Sequence, residues 1–180
     1  QIPARNKDLG PRIRALFVPE KDHTWGCFDY SQQEPRLVVH YAALQNLYGV
    51  GDVSDSYNND PDTDFHDIVA EMAGIPRTQA KTINLGLFYG MGKNKLQAEL
   101  GVSKDKATEL FRQYHSKVPF VKQLMDNVSS RAQDRGQVRT LLGRLCRFPL
   151  WEPNQFGIHK ALSHEQALLE HGPGIKRAYT

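Results

Sequence analysis

Cysteine is scarce. Cys27 and Cys146 are the only two in 180 residues. Two thiols so far apart give neither a disulfide framework nor closely spaced zinc ligands, and they suit a reducing compartment. No apolar run approaches the roughly 18 residues of a membrane helix, and no signal peptide is read at the start. No internal repeat or low-complexity tract is present, which argues against solenoids and compositional linkers. Charge of one sign is also weak. With 23 Lys and Arg against 20 Asp and Glu, the net charge is +3. That excess permits an anionic partner without demanding one. What is present is an ordinary globular composition, with 39% hydrophobic and 24% charged residues. The length suits one large domain or two small ones.

The most organised stretch is 76–92, PRTQAKTINLGLFYGMG. It opens with proline, suited to the start of a helix, and closes with glycines suited to a C-terminal stop. Ala80, Ile83 and Leu87 fall on one face and are expected in a core. Arg77, Lys81, Leu85 and Tyr89 recur at steps of four and form a slanted stripe on another side. Two cations near a helix N-terminus oppose its macrodipole. A bound polyanion would remove that cost, because free N–H groups and cations both favour it. The same stripe also reads as an ordinary solvated face.

The rest of the chain supplies the setting. RIRALFV and TWGCFDYS, separated by a turn, read as an antiparallel hairpin that ends at Asp29. A helix follows, with Leu37, His40, Tyr41, Leu44 and Leu47 at helical spacing. Pro35 suits its first turn but disfavours the α conformation at Glu34, which is expected just before the helix. YGVGDVSDSYNNDPDTD reads as a surface loop of about 15 residues. Its acids lack the spacing of a calcium loop. DFHDIVAEMAGI is an amphipathic helix with Phe65, Ile68, Val69 and Met72 inward and His66 off that face. His66 and Asp67 lack the further spaced ligands of a metal phosphohydrolase. KNKLQAEL, ended by Gly101, and a helix capped by Ser103 follow. Pro119 begins another helix, stopped by Gly136. QVRTLLGRLCRFP reads as a small hairpin turning near Gly143. Residues 158–170 read as helix, and IKRAYT as the start of one more.

Several of these stretches resemble one family. Arg77, Lys81, Asn84, Gly86, Tyr89 and Gly90 reproduce the spacing of the O helix of family A DNA polymerases, the bacterial DNA polymerase I class. DYSQQEPRL resembles its first catalytic motif, DYSQIELR, with proline at 35 where the family has leucine. His66 sits where the family has a DIH motif, and 137–149 is similar to its TLDGRRLYLP stretch.

The resemblance implies an α/β fold, mostly α-helical: a partial right-hand polymerase fold with part of the palm plus the fingers. Residues 1–33 would lead into the palm, 34–165 would form the fingers with the O-type helix at 76–90, and 166–180 would start the return to the palm. The implied activity is template-directed DNA synthesis, by attack of a primer 3′-hydroxyl on the α-phosphate of a deoxynucleoside triphosphate. Asp29 would be catalytic and bind metal, with the Tyr30 backbone carbonyl beside it, at a site for two magnesium ions. Gln32, Glu34, His66, Arg77, Lys81, Leu85 and Tyr89 would contact the nucleotide, with Glu34 and Tyr89 rejecting a ribose hydroxyl. Arg139 and Arg144 are read either as a solvated edge or as a DNA contact. Leu85 departs from the Phe or Tyr usual in the family, as viral members do, and suggests a phage member. The implied partners are primer-template DNA, deoxynucleoside triphosphates and the remainder of the polymerase, without a membrane. The implied location is the cytoplasm of a bacterium or a phage-infected host. The chain ends before the family's HDE motif with the second metal-binding Asp. It is therefore expected to be an inactive fragment of the enzyme. A non-catalytic nucleotide- or nucleic-acid-binding helical module is the alternative.

Overall fold

The computed structural model describes residues 6–155 and 157–179, with the side chains at 72 and 73 outside that description. The inward placement read for Met72 therefore lies outside the described residues. The chain divides into two compact units, Gln1–Ser31 and Gln32–Thr180.

The first unit contains helix α1 (Leu9–Arg14). Asn6 nucleates it, because its Oδ1 accepts from the Asp8 and Leu9 backbone N–H groups. The expected hairpin is not formed. Among the described residues of this unit there is no strand, and Phe17, Val18, Trp25 and Phe28 are exposed. A lone two-stranded ribbon is marginal in water without a further strand or helix to cover one face. Here the local cap at Asn6 wins for the first segment, and 23–30 runs as irregular chain.

The second unit is a helical bundle followed by two small sheets. Its helices are α2 (Gln33–Leu44), α3 (Gly51–Asn59), α4 (Phe65–Ala73), α5 (Arg77–Phe88), α6 (Lys93–Leu100), α7 (Lys104–Lys117) and α8 (Pro119–Arg135). Strand β1 (Gln137–Arg139) pairs antiparallel with β2 (Leu145–Arg147). Strand β3 (Trp151–Pro153) pairs antiparallel with β4 (Ile175–Arg177), with α9 (His164–His171) between them in sequence. Among the described residues no helix is long and apolar enough to cross a membrane.

The core lies where α4 and α5 meet α2, α7 and α8. Phe65 and Val69 of α4 and Ala80, Ile83 and Leu87 of α5 are buried together with Leu96, Tyr114, Phe120 and Val121. The Phe65 ring lies edge-on to Phe120, with centroids 6.4 Å apart, and 5.8 Å from Phe88. Each such side chain contributes roughly 1.5–3 kcal/mol when fully buried. Caps match the sequence reading. Ser103 Oγ accepts from Lys106 N–H, Gly101 and Gly136 end their helices in the left-handed conformation, and the first hairpin turns at Gly143.

Four readings need correction. The stretch 48–64 is largely helix α3, because Val50, Val53 and Tyr57 recur at helical spacing and reach the core. Its Asp, Asn and Ser side chains remain on the wet side. Glu34 lies inside the first turn of α2, since a first-turn N–H needs no helical partner. Pro35 is itself buried there. The helix read there is present as α2, and within it Val39 and Ala42 are buried while His40 and Leu44 are exposed. Helix α9 begins only at His164, because the Ser163 side chain caps it and Leu162 bridges to Trp151. Residues 175–177 form a strand rather than a helix. Cross-strand pairs hold it: the Arg177 guanidinium lies 4.7 Å from the Trp151 ring centre and Lys176 lies 3.6 Å from Glu152.

The end of α5 is set by glycine. Gly90 adopts φ +75°, and the N–H groups of Gly90 and Met91 reach back to Leu87 and Gly86 carbonyls at 3.0 and 2.8 Å. This is a Schellman turn, which needs a left-handed residue at that place. A Cβ at Gly90 would meet nothing within 4 Å. Gly90→Ala should therefore destabilise the chain through backbone strain alone, by about 1–2 kcal/mol in urea unfolding. A neutral result would mean that this turn relaxes freely.

Candidate functional site

Helix α5 has two sides of opposite character. Ala80, Ile83, Asn84 and Leu87 are buried, whereas Arg77, Lys81 and Tyr89 are exposed and Leu85 is intermediate. The buried face fixes the rotation of the helix, so the outer row is presented by the core rather than by chance packing. Pro76 precedes the first turn in an extended conformation, and a helix entered this way leaves its first N–H groups unpaired.

The N-terminus of α4 lies beside that of α5. Asp64 ties them together with both oxygens. Its Oδ1 accepts from the His66 N–H at 2.7 Å and caps α4, while its Oδ2 accepts from the Arg77 guanidinium. Arg77 Nε is also 3.1 Å from Asp67 Oδ1. The cation that opposes the α5 dipole is thus offset by two carboxylates. Burial alone would raise the Asp64 pKa. The Arg77 hydrogen bond, the His66 N–H and the nearby charge outweigh it, and its carboxyl is held below the usual range.

His66 is buried, not set off the inward face as expected. The reason is a partner on the neighbouring helix: its Nδ1 is 2.8 Å from Asn84 Nδ2. Burial lowers its pKa, Arg77 and Lys81 lower it further, and Asp64 and Asp67 act in the opposite sense.

Gln32 opens α2 from a left-handed conformation. Its amide is used within the fold. Nε2 donates to the Thr63 carbonyl at 2.9 Å, and Oε1 accepts from Phe65 N–H at 2.8 Å and from Tyr57 Oη at 3.2 Å. Burial pushes the Tyr57 phenol up to about 12. Gln32 therefore pins the start of α2 to the segment that enters α4. Glu34 is exposed on the first turn of α2.

Asp29 and Tyr30 belong to the first unit, are exposed, and with Phe28 line a shallow cavity of ≈ 250 Å³. Among the described residues no group of three or more His, Cys, Asp or Glu could hold a metal. Arg139 and Arg144 are exposed on the first hairpin, where Arg139 donates to the Gly143 carbonyl at 2.8 Å.

The structure thus brings His66, Arg77 and Lys81 into one neighbourhood. It adds Asp64, Asp67 and Asn84, which sequence reading did not place in the site. A signal existed for two of them. Asp64 precedes an apolar run as an N-cap does, and Asn84 is a polar residue on the otherwise apolar face of 80, 83 and 87.

Two outcomes follow from these contacts. Asp64→Ala should cost about 1 kcal/mol of stability through the lost cap, measured by urea unfolding; an unchanged midpoint would remove Asp64 as the organiser of α4. The pH dependence has a fixed sign. His66 and His115 both have pKa values lowered by burial. Neutral histidines of this kind favour the folded state above the unfolded value near 6.5, and that stability is lost as pH falls below it. Unfolding midpoints should decline from about pH 7.5 to 5.5, less steeply in His115→Phe. Equal slopes would show that His115 is not buried neutral.

A family model for DNA polymerase family A matches residues 1–168. The chain is 36% identical over 205 residues to a DNA-directed DNA polymerase of Pseudomonas phage M6, covering 91% of this chain and 31% of that protein. It is 35% identical to a DNA polymerase I of Geobacillus stearothermophilus, over 82% of this chain and 17% of that one. Among solved structures it is similar to the POL domain of Pol1 from M. smegmatis in complex with DNA primer-template and dNTP. The TM-score is 0.65 and the identity 28%, covering 83% of this chain and 26% of that chain. The chain thus spans less than a third of the length of these relatives. With its mostly helical α/β fold and the cationic row on α5, the chain belongs to DNA polymerase family A.

Proposed function

We propose that this chain is part of a template-directed DNA polymerase and carries much of its nucleotide-handling surface. Its partners would be primer-template DNA, deoxynucleoside triphosphates and the remainder of the polymerase, in a bacterial or phage-infected cytoplasm. Residues 34–165 are assigned to the fingers, 1–33 to the approach to the palm, and 166–180 to the return toward it. The observation that carries this reading is the two-sided α5, which holds Arg77 and Lys81 outward beside His66. Support comes from the mycobacterial relative, whose structure contains primer-template and dNTP.

In this reading Lys81 and Arg77 take the triphosphate and neutralise the charge that builds on its leaving part as the primer 3′-hydroxyl attacks the α-phosphate. Most of the rate then comes from positioning and electrostatics. Arg77 is oriented by Asp64 and Asp67, which hold two of its guanidinium nitrogens. His66 donates to the same group. Leu85 is assigned to the sugar, and Glu34 and Tyr89 to exclusion of a ribose hydroxyl. Gln32, whose amide is occupied, acts on the nucleotide through the placement of α2 and α4. Arg139 and Arg144 would meet DNA phosphates.

Asp29 and the Tyr30 carbonyl are hard oxygen donors of the type that magnesium takes, and they would supply this chain's share of a two-ion site. Bound ions would neutralise charge at the reacting phosphates. One carboxylate does not complete such a site, so further ligands would come from other parts of the polymerase.

In the complete polymerase, Lys81→Ala should slow nucleotide incorporation about 100-fold or more by loss of a transition-state contact. Asp29→Asn should abolish primer extension while the circular dichroism spectrum is retained. Normal single-turnover rates in either variant would remove that residue from the reaction. Leu85→Tyr should raise the use of dideoxy relative to deoxy substrates, because the phenol can replace the missing 3′-hydroxyl. An unchanged ratio in an active variant would place Leu85 away from the sugar.

A further inference from the structure

Asn84 is fully buried on a helix face otherwise made of Ala80, Ile83 and Leu87. A buried amide is tolerated only with partners. Its Nδ2 has one, His66 Nδ1 at 2.8 Å, while its Oδ1 is buried with none. With the amide in this orientation its nitrogen donates, Nδ1 accepts and the imidazole proton sits on Nε2. With the amide turned over, Oδ1 would accept from a protonated Nδ1, and Nδ2 would become the orphan. Among the described residues no group bonds Nε2, and it is not a buried orphan atom. The imidazole therefore has one edge fixed from inside the protein and the other available.

We propose that Asn84 is a positioning residue that holds His66 as the Nε2–H tautomer, so that a neutral hydrogen-bond donor faces the phosphates of the incoming nucleotide. The inference rests on the reading of His66 as a triphosphate contact. The charged groups that face the ring are Asp64 and Asp67 on α4 and Arg77 and Lys81 on α5. The two cations supply the charge for the anion, and they make a third, imidazolium charge at His66 unfavourable. A neutral N–H donor adds a directed bond without that repulsion. A purely structural tie between α4 and α5 would be served equally by either tautomer, and this distinguishes the two roles.

The decisive variant is Asn84→Asp, similar in size but unable to donate. Its carboxylate can only accept a hydrogen bond, so Nδ1 must keep its proton and donate. Nε2–H then survives only while the ring is charged, and above the ring's pKa Nε2 turns a lone pair toward the phosphates. Histidine-selective heteronuclear NMR of the complete polymerase reads the tautomer, with the His66 signals assigned by their loss in His66→Gln. Nucleotide affinity is measured with dGTP on a chain-terminated primer-template.

The wild type should show a proton on Nε2 alone and an affinity insensitive to His66 ionisation above neutral pH. In Asn84→Asp, Nδ1 should be protonated. Its affinity should fall about fivefold between about pH 7 and 9, the worth of one hydrogen bond. The fall should be absent when His66→Gln is added. If Asn84→Asp does not fold, Asn84→Leu should show both tautomers and a weaker nucleotide affinity. A proton on Nδ1 in the wild type would overturn the proposal, as would an unaltered tautomer and pH profile in the variants. If His66→Ala itself binds dGTP normally, the triphosphate contact fails and the nucleotide role of Asn84 with it. The NMR result would still separate that failure from an error in the tautomer.

Discussion

The chain depends on one rotational constraint. Helix α5 must bury Ala80, Ile83 and Leu87 against Phe65 and Val69 of α4, and no other rotation of the helix does so. A turn of even one residue, about 100°, would bring Lys81 into the core, where an unpaired charge is costly. The same packing that excludes water on one side therefore aims the cations on the other. Asp64 completes the arrangement from α4 by capping its own helix and holding Arg77 across the gap. Stability and site geometry are thus set by the same residues.

How much of this was legible in the sequence follows from the range of each interaction. The α5 helix was legible because its punctuation and its apolar row are local: Pro76 before, Gly90 after, and 80, 83 and 87 between. The Ser103 cap and the Gly143 turn were legible for the same reason. Helix α3 was not, because its composition of Asp, Asn and Ser outweighed three apolar positions at helical spacing. The β3–β4 pair was not either. Each strand is three residues long, and its stabilising pairs lie more than 20 residues apart in sequence. The His66–Asn84 contact joins two helices, so neither residue's own segment reveals it.

The first unit illustrates the opposite limit. Its pattern of β-formers matches a hairpin, yet a local cap at Asn6 decides the fold of the residues that follow. Propensity without a face to cover does not make a sheet. The exposed Phe17, Val18, Trp25 and Phe28 are therefore strand-like in composition and irregular in conformation. Asp29 and Tyr30 share that exposure.

The turn after α5 has a mechanical consequence. Gly86 has no Cβ, and one built there would come within 1.8 Å of the Met91 methyl. Met91 thus folds back onto the helix it has just left, while its own N–H holds the Gly86 carbonyl. The glycine weakens α5 by about 1 kcal/mol relative to alanine, and in exchange the joint between α5 and α6 is short and gripped from inside. With so little slack in that joint, the start of α6 is placed by the end of α5. Leu96 of α6 is buried in the same core as Ile83 and Leu87 of α5, so the grip at Gly86 also sets where that leucine lands.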